Sequence, residues 1–122
     1  MKRILLCLMV ALFATGCLFA KNNDEKMNVM SYNIRYDNSG DKDNQWKFRR
    51  DFAADLVKFH EADVFGAQEV LNNQLNDLLD RLPEYAYVGV GREDGKTKGE
   101  YAPIFYRKDR FSVEKNGNFW LA

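Results

Sequence analysis

Met27-Asn28-Val29-Met30-Ser31-Tyr32-Asn33-Ile34-Arg35-Tyr36 and, one crossover later, Asp63-Val64-Phe65-Gly66-Ala67-Gln68-Glu69-Val70 are the two runs whose reading decides the fold. The first is apolar enough for a buried strand. Side chains alternate along a strand, so Val29, Ser31, Asn33 and Arg35 share one face and Met30, Tyr32, Ile34 and Tyr36 the other. Between the runs, residues 37–44 form a loop of Asp, Asn, Ser and Gly. Phe48, Phe52, Leu56 and Phe59 then recur at helical spacing and predict an amphipathic helix to about His60. After the second strand, Leu71, Leu75, Leu78, Leu79 and Leu82 make another apolar stripe, and Pro83 ends that helix because its ring disfavours a helical residue before it. Beyond Glu84 the spacing predicts short strands over 85–91, 102–107 and 111–115. Turns at Asp94-Gly95, Lys108-Asp109 and Asn116-Gly117 suit an antiparallel meander. The order strand, helix, strand, helix, meander reads as an α/β fold.

A strand–helix–strand unit in one sheet makes a right-handed parallel crossover, so both strands exit at the same edge. Asn33 and Glu69 lie near those exits, where open α/β sheets bind ligands. A hard cation such as Mg²⁺ takes oxygen ligands, often one or two carboxylates with water and substrate phosphate completing the shell. Glu69 suits that role, and Asn33 can add a carbonyl oxygen or orient an attacking water. On spacing alone the plainer alternative is favoured: an Asn and a Glu that are solvated or cap the next helix.

The chain has 122 residues, 46% hydrophobic and 30% charged, which allows one domain. Met1-Lys2-Arg3, an apolar run over 4–13 and Ala14-Thr15-Gly16-Cys17 read as an export signal over residues 1–20, with 21–26 as a polar tether. Two processing routes fit: lipidation of Cys17 in a bacterial lipobox, where Ala14 stands in place of the usual Leu, or ordinary cleavage after Ala20. The expected location is the cell envelope, either periplasmic or membrane-anchored through that lipid. Setting Lys2 and Arg3 aside leaves 16 basic residues against 18 acidic ones, a net of −2, so no basic field advertises nucleic acid. Cys7 and Cys17 both fall in the leader. That excludes a disulfide scaffold, a Cys nucleophile and a Cys/His zinc cluster from the rest of the chain.

Ser31-Tyr32-Asn33-Ile34-Arg35 followed by Asp63-Val64-Phe65-Gly66-Ala67-Gln68-Glu69-Val70 resembles the opening of the endonuclease/exonuclease/phosphatase family. Residues 85–91, Tyr101-Ala102-Pro103-Ile104-Phe105-Tyr106-Arg107 and Asn118-Phe119-Trp120-Leu121 resemble the next strands of its exported bacterial branch. The resemblance covers residues 27–122 and implies the N-terminal half of a four-layer α/β/β/α sandwich. The implied activity is metal-dependent hydrolysis of a phosphate ester, of the phosphodiesterase, nuclease or phosphatase type, with one Mg²⁺ or Mn²⁺ ion. By position, Glu69 corresponds to the principal metal carboxylate and Asn33 to the asparagine beside metal and water. Arg35 corresponds to a phosphate contact. Nucleic acid, phospholipid head groups and phosphosugars all remain open as substrates, and no protein partner is indicated. The family's catalytic His and Asp-x-Asn follow the Phe-Trp-Leu strand, so these 122 residues are expected to be a truncated, inactive domain. The rival reading is a lipid-anchored binding or structural module in which Asn33 and Glu69 only stabilise strand ends.

Weaker signals resolve to plain readings. Asp37, Ser39, Asp41 and Asp43 alternate like a calcium loop, but Lys42 stands where that loop needs Gly and Phe48 where it needs Glu. Gly89-Val90-Gly91 lacks a third glycine and opens no helix, so it is a turn. Arg92, Lys96 and Lys98 make a solvated tip balanced by Glu93, Asp94 and Glu100. Trp46 and Trp120 read as core or cleft-wall aromatics. His60 reads as an exposed helix end.

Overall fold

A computed structural model describes residues 26–121. The export signal, Cys17 and residues 21–25 of the tether lie outside the described residues. The order is β1 (Val29–Asn33), a 3₁₀ turn (Ser39–Asn44), α1 (Trp46–Phe59), β2 (Val64–Gln68), α2 (Asn72–Arg81), β3 (Tyr85–Val88) and β4 (Ile104–Arg107). The four strands form one sheet in the order β1-β2-β4-β3. β1 and β2 are parallel with Val29 opposite Val64 and Asn33 opposite Gln68, and β4 runs antiparallel to both of its neighbours. The expected crossover is therefore present, and a mixed α/β sheet with helices is the fold.

Alternation along the strands builds one core. Phe65, Ala67 and Phe105 point to the helix side and are fully buried, with Met30, Tyr32 and Tyr87 packed around them. The Phe65 and Phe105 rings stack with centroids 4.5 Å apart. Complete burial of such a side chain stabilises by about 1.5–3 kcal/mol. From α2, Leu75 and Leu78, with Leu82 just beyond its end, reach the same core, as the leucine stripe predicts. The opposite face stays open to solvent, with Val29 and Ile104 exposed.

Two expectations are corrected. The buried face of α1 is Trp46, Ala53, Ala54 and Val57, whereas Phe48, Phe52 and Phe59 are 62%, 68% and 79% exposed. Both sets have helical spacing. Ala53 and Ala54 are buried on α1, which packs against α2, and the Trp46 indole donates to Asp77 Oδ2 of α2 at 2.8 Å, which commits that face inward. Residues 111–115 form no strand. The Arg110 and Phe111 amides fold back onto the Arg107 carbonyl, and the segment has no ladder partner among the described residues. Within the loop expected over 37–44, the 3₁₀ turn starts at an Asn38 cap whose side chain accepts from the Gly40 amide. Among the described residues no helix is long and apolar enough to cross a membrane.

Candidate functional site

Parallel pairing of Asn33 with Gln68 places Glu69, one residue past β2, beside the end of β1. Asn33 Nδ2 donates to Glu69 Oε1 at 2.9 Å, so the two residues singled out from the strand ends do meet. The Arg35 amide donates to Asn33 Oδ1 at 2.9 Å, which fixes the carboxamide with its NH₂ toward Glu69. The Tyr36 amide donates to the second carboxylate oxygen, Glu69 Oε2, at 3.3 Å. Together the Asn33 side chain, chiefly, and the Tyr36 amide hold the Glu69 carboxyl below the usual carboxylate range. Both donors are neutral. Glu69 is thus an ionised, half-buried carboxylate with no cationic side chain in hydrogen-bond contact among the described residues.

The backbone around the pair is constrained. Arg35 and Glu69 both adopt left-handed conformations, φ 60° and 59°, which persist in residues with a Cβ only where the surroundings over-determine them. Arg49 of α1 supplies part of that constraint. Its guanidinium donates to the carbonyls of Ile34 at 2.8 Å, Asn44 at 2.6 Å and Arg35 at 3.3 Å. The Arg35 side chain turns to the loop and forms a two-point pair with Asp41, at 3.0 and 2.9 Å, while remaining half exposed. That pairing also uses the Asp41 carboxylate that the calcium-like spacing had suggested. Asp37 likewise accepts from Asn73 Nδ2.

One groove borders Glu69 and another lies beside Arg35. The first, of about 440 Å³, runs along Gln68, Glu69, Arg92, Tyr101 and Trp120. In it, Trp120 Nε1 donates to the Arg92 carbonyl at 2.8 Å, and Arg92 pairs with Glu100 at 3.1 Å. Trp120 is therefore a cleft-wall aromatic and Trp46 a core one. The other groove, about 590 Å³, lies between Arg35, Arg49 and the 3₁₀ turn. His60 caps α1 at the start of β2, the opposite end of that strand from Glu69, and stacks edge-on against Phe59.

The donor chemistry fits a hard divalent cation in an open shell. Glu69 offers ionised oxygen and Asn33 holds it; among the described residues no cluster of three or more His, Cys, Asp or Glu is present. Sequence reasoning missed Arg49, Gln74 and the Tyr36 amide. Gln74 alone left a trace, a carboxamide interrupting the leucine stripe of α2.

The same sheet and helices recur in solved proteins. A Bacteroides vulgatus endonuclease/exonuclease/phosphatase is 55% identical, with a TM-score of 0.69 over 70% of this chain and 33% of its own. This stretch matches the N-terminal part of endonuclease/exonuclease/phosphatase family structures. A second endonuclease/exonuclease/phosphatase family protein, from Bacteroides thetaiotaomicron, is 45% identical with a TM-score of 0.75 over 77% of this chain and 35% of its own. A mannosyl-6-phosphatase from the same organism is 44% identical with a TM-score of 0.76, over 78% and 36%. An uncharacterized protein of Acanthamoeba polyphaga mimivirus is 26% identical over 121 residues, 84% of this chain and 18% of that protein. No family model matches. The chain spans about a third of the solved endonuclease/exonuclease/phosphatase structures it matches, along their N-terminal part.

Proposed function

We propose that this chain contributes the metal-holding edge of an exported, divalent-metal-dependent phosphoesterase on a four-layer sandwich. The observation that carries the reading is the 2.9 Å contact between Asn33 and an ionised Glu69 that, among the described residues, has no cationic side chain in hydrogen-bond contact. Glu69 would hold one Mg²⁺ or Mn²⁺. When bound, the ion neutralises charge that develops on the phosphoryl oxygens. Asn33 and the Tyr36 amide keep the carboxylate aimed and ionised, and Asn33 sits where a water entering the site would be oriented. Arg35 holds its guanidinium on Asp41 at the rim, where its remaining N–H groups reach toward phosphate oxygens.

Among phosphate esters, a phosphosugar is the substrate this reading favours over nucleic acid or a phospholipid head group. The similarity to a mannosyl-6-phosphatase supports it, as does a groove beside Glu69 walled by Tyr101 and Trp120 with its cation, Arg92, already paired to Glu100. Export rests on the leader over residues 1–20, and membrane attachment through Cys17 belongs to the same proposal. The 122 residues by themselves are proposed to bind the ion without turnover, because their one histidine, His60, lies at the wrong end of β2.

The test is Mn²⁺ binding to the chain, followed by electron paramagnetic resonance, beside hydrolysis of mannose 6-phosphate with Mg²⁺. One bound ion, lost in Glu69→Ala, with no turnover is the expected result. Binding that survives Glu69→Ala overturns the metal role. Full Mg²⁺-dependent turnover by the 122-residue chain overturns the proposed inactivity.

A further inference from the structure

Gln74 is 0% exposed, the most buried polar residue of α2, on a helix whose other inward positions are leucines. Both polar atoms of its carboxamide are engaged. Nε2 donates to the Arg35 carbonyl at 2.9 Å, and Oε1 accepts from the Asp37 amide and the Leu71 amide, both at 3.0 Å. The first two bonds bracket Tyr36, whose own amide points at Glu69 Oε2. The third reaches the residue two past Glu69. A single side chain thereby clamps the turn after β1 to the turn after β2, the two segments in which Arg35 and Glu69 hold left-handed conformations. A residue needed only to fill the core would be another leucine, because burying a carboxamide costs stability unless every polar atom is matched.

We propose that Gln74 is a positioning residue for the Glu69 centre: by holding the Tyr36 peptide it sets the orientation in which the Glu69 carboxylate meets a divalent cation. The inference rests on Glu69 being the metal carboxylate. Partners that orient a ligating carboxylate typically change metal affinity by about 10–100-fold when removed.

The experiment is Mn²⁺ titration of the 122-residue chain by electron paramagnetic resonance, with thermal unfolding followed by circular dichroism on the same samples. Gln74→Met keeps the volume and removes all three bonds. Gln74→Glu keeps the length and an acceptor but loses the Nε2 donation and sets an oxygen against the Arg35 carbonyl. In both, the Mn²⁺ dissociation constant is expected to rise by about tenfold. Asp63→Asn, at the other end of the sheet, is expected to lower the melting temperature while leaving that constant unchanged. If Gln74→Met does not fold, Gln74→Glu decides. An unchanged dissociation constant in the folded Gln74 variants overturns the positioning role and leaves Gln74 as a structural clamp. Retention of Mn²⁺ binding in Glu69→Ala overturns the metal reading itself, separately from anything Gln74 does.

Discussion

The two ends of β2 each carry a carboxylate held by a backbone amide of the β1 segment, and they put it to opposite use. At the entry, Asp63 is 2% exposed; the Asn28 amide donates to its Oδ2 at 2.8 Å and the Arg110 guanidinium pairs with Oδ1. At the exit, Glu69 is half-buried and takes its bonds from Asn33 and the Tyr36 amide, both neutral. Both groups are held below their ordinary pKa: Asp63 by the Asn28 amide and then Arg110, Glu69 by Asn33 and then the Tyr36 amide. The difference lies in the charge left over. Asp63 is neutralised within the fold and ties the sheet's entry together. Glu69 keeps its charge, with neutral donors only in hydrogen-bond contact among the described residues.

The sharpest way to break this contrast is Asp63→Ala. Deleting the acceptor strands the Asn28 amide and the Arg110 charge, so urea unfolding should show a loss of about 3 kcal/mol. A loss near zero would mean the entry pair is incidental. Acid titration sharpens the same point. A carboxyl whose folded pKa is lowered contributes stability that is fully present above its unfolded value, 3.8 for Asp63, and is lost as pH falls through the lowered folded value. Stability of the native chain should therefore fall below pH 3.8, and Asp63→Asn should flatten that part of the profile. Glu69→Gln should move the melting temperature by less than about 4 °C, as expected at a water-accessible site, while removing Mn²⁺ binding. Arg35→Ala has the smallest expected effect. Its pair with Asp41 is exposed, so no measurable change in melting temperature is expected, and a large drop would make the pair structural rather than a rim contact.

The exit side of this contrast was legible in the chain, and the entry side was not. Asn33 and Glu69 were placed at one edge by the crossover argument, since a parallel pair joined by one helix leaves no other arrangement. Arg35 was placed near them by adjacency, but its partner Asp41 depended on how the 3₁₀ turn folds back. The Asp63–Arg110 pair spans 47 positions, and no local pattern announces a contact of that separation. Gln74 went unread, because its three bonds end on backbone atoms that carry no residue-specific signal.

By itself the sequence determined the α/β class, the strand–helix–strand–helix order and the placing of Asn33 and Glu69 near one sheet edge, because periodicity and connection handedness act locally and leave few topologies. Only the tertiary structure decided which stripe of α1 faces inward and that residues 111–115 stay out of the sheet. It also placed a buried carboxamide behind the Glu69 carboxylate. Helical spacing marks both Phe48-Phe52-Phe59 and Trp46-Ala53-Val57 as candidate faces. The choice between them follows from fit against α2 and the core, a property of packed surfaces that no run of neighbouring residues contains.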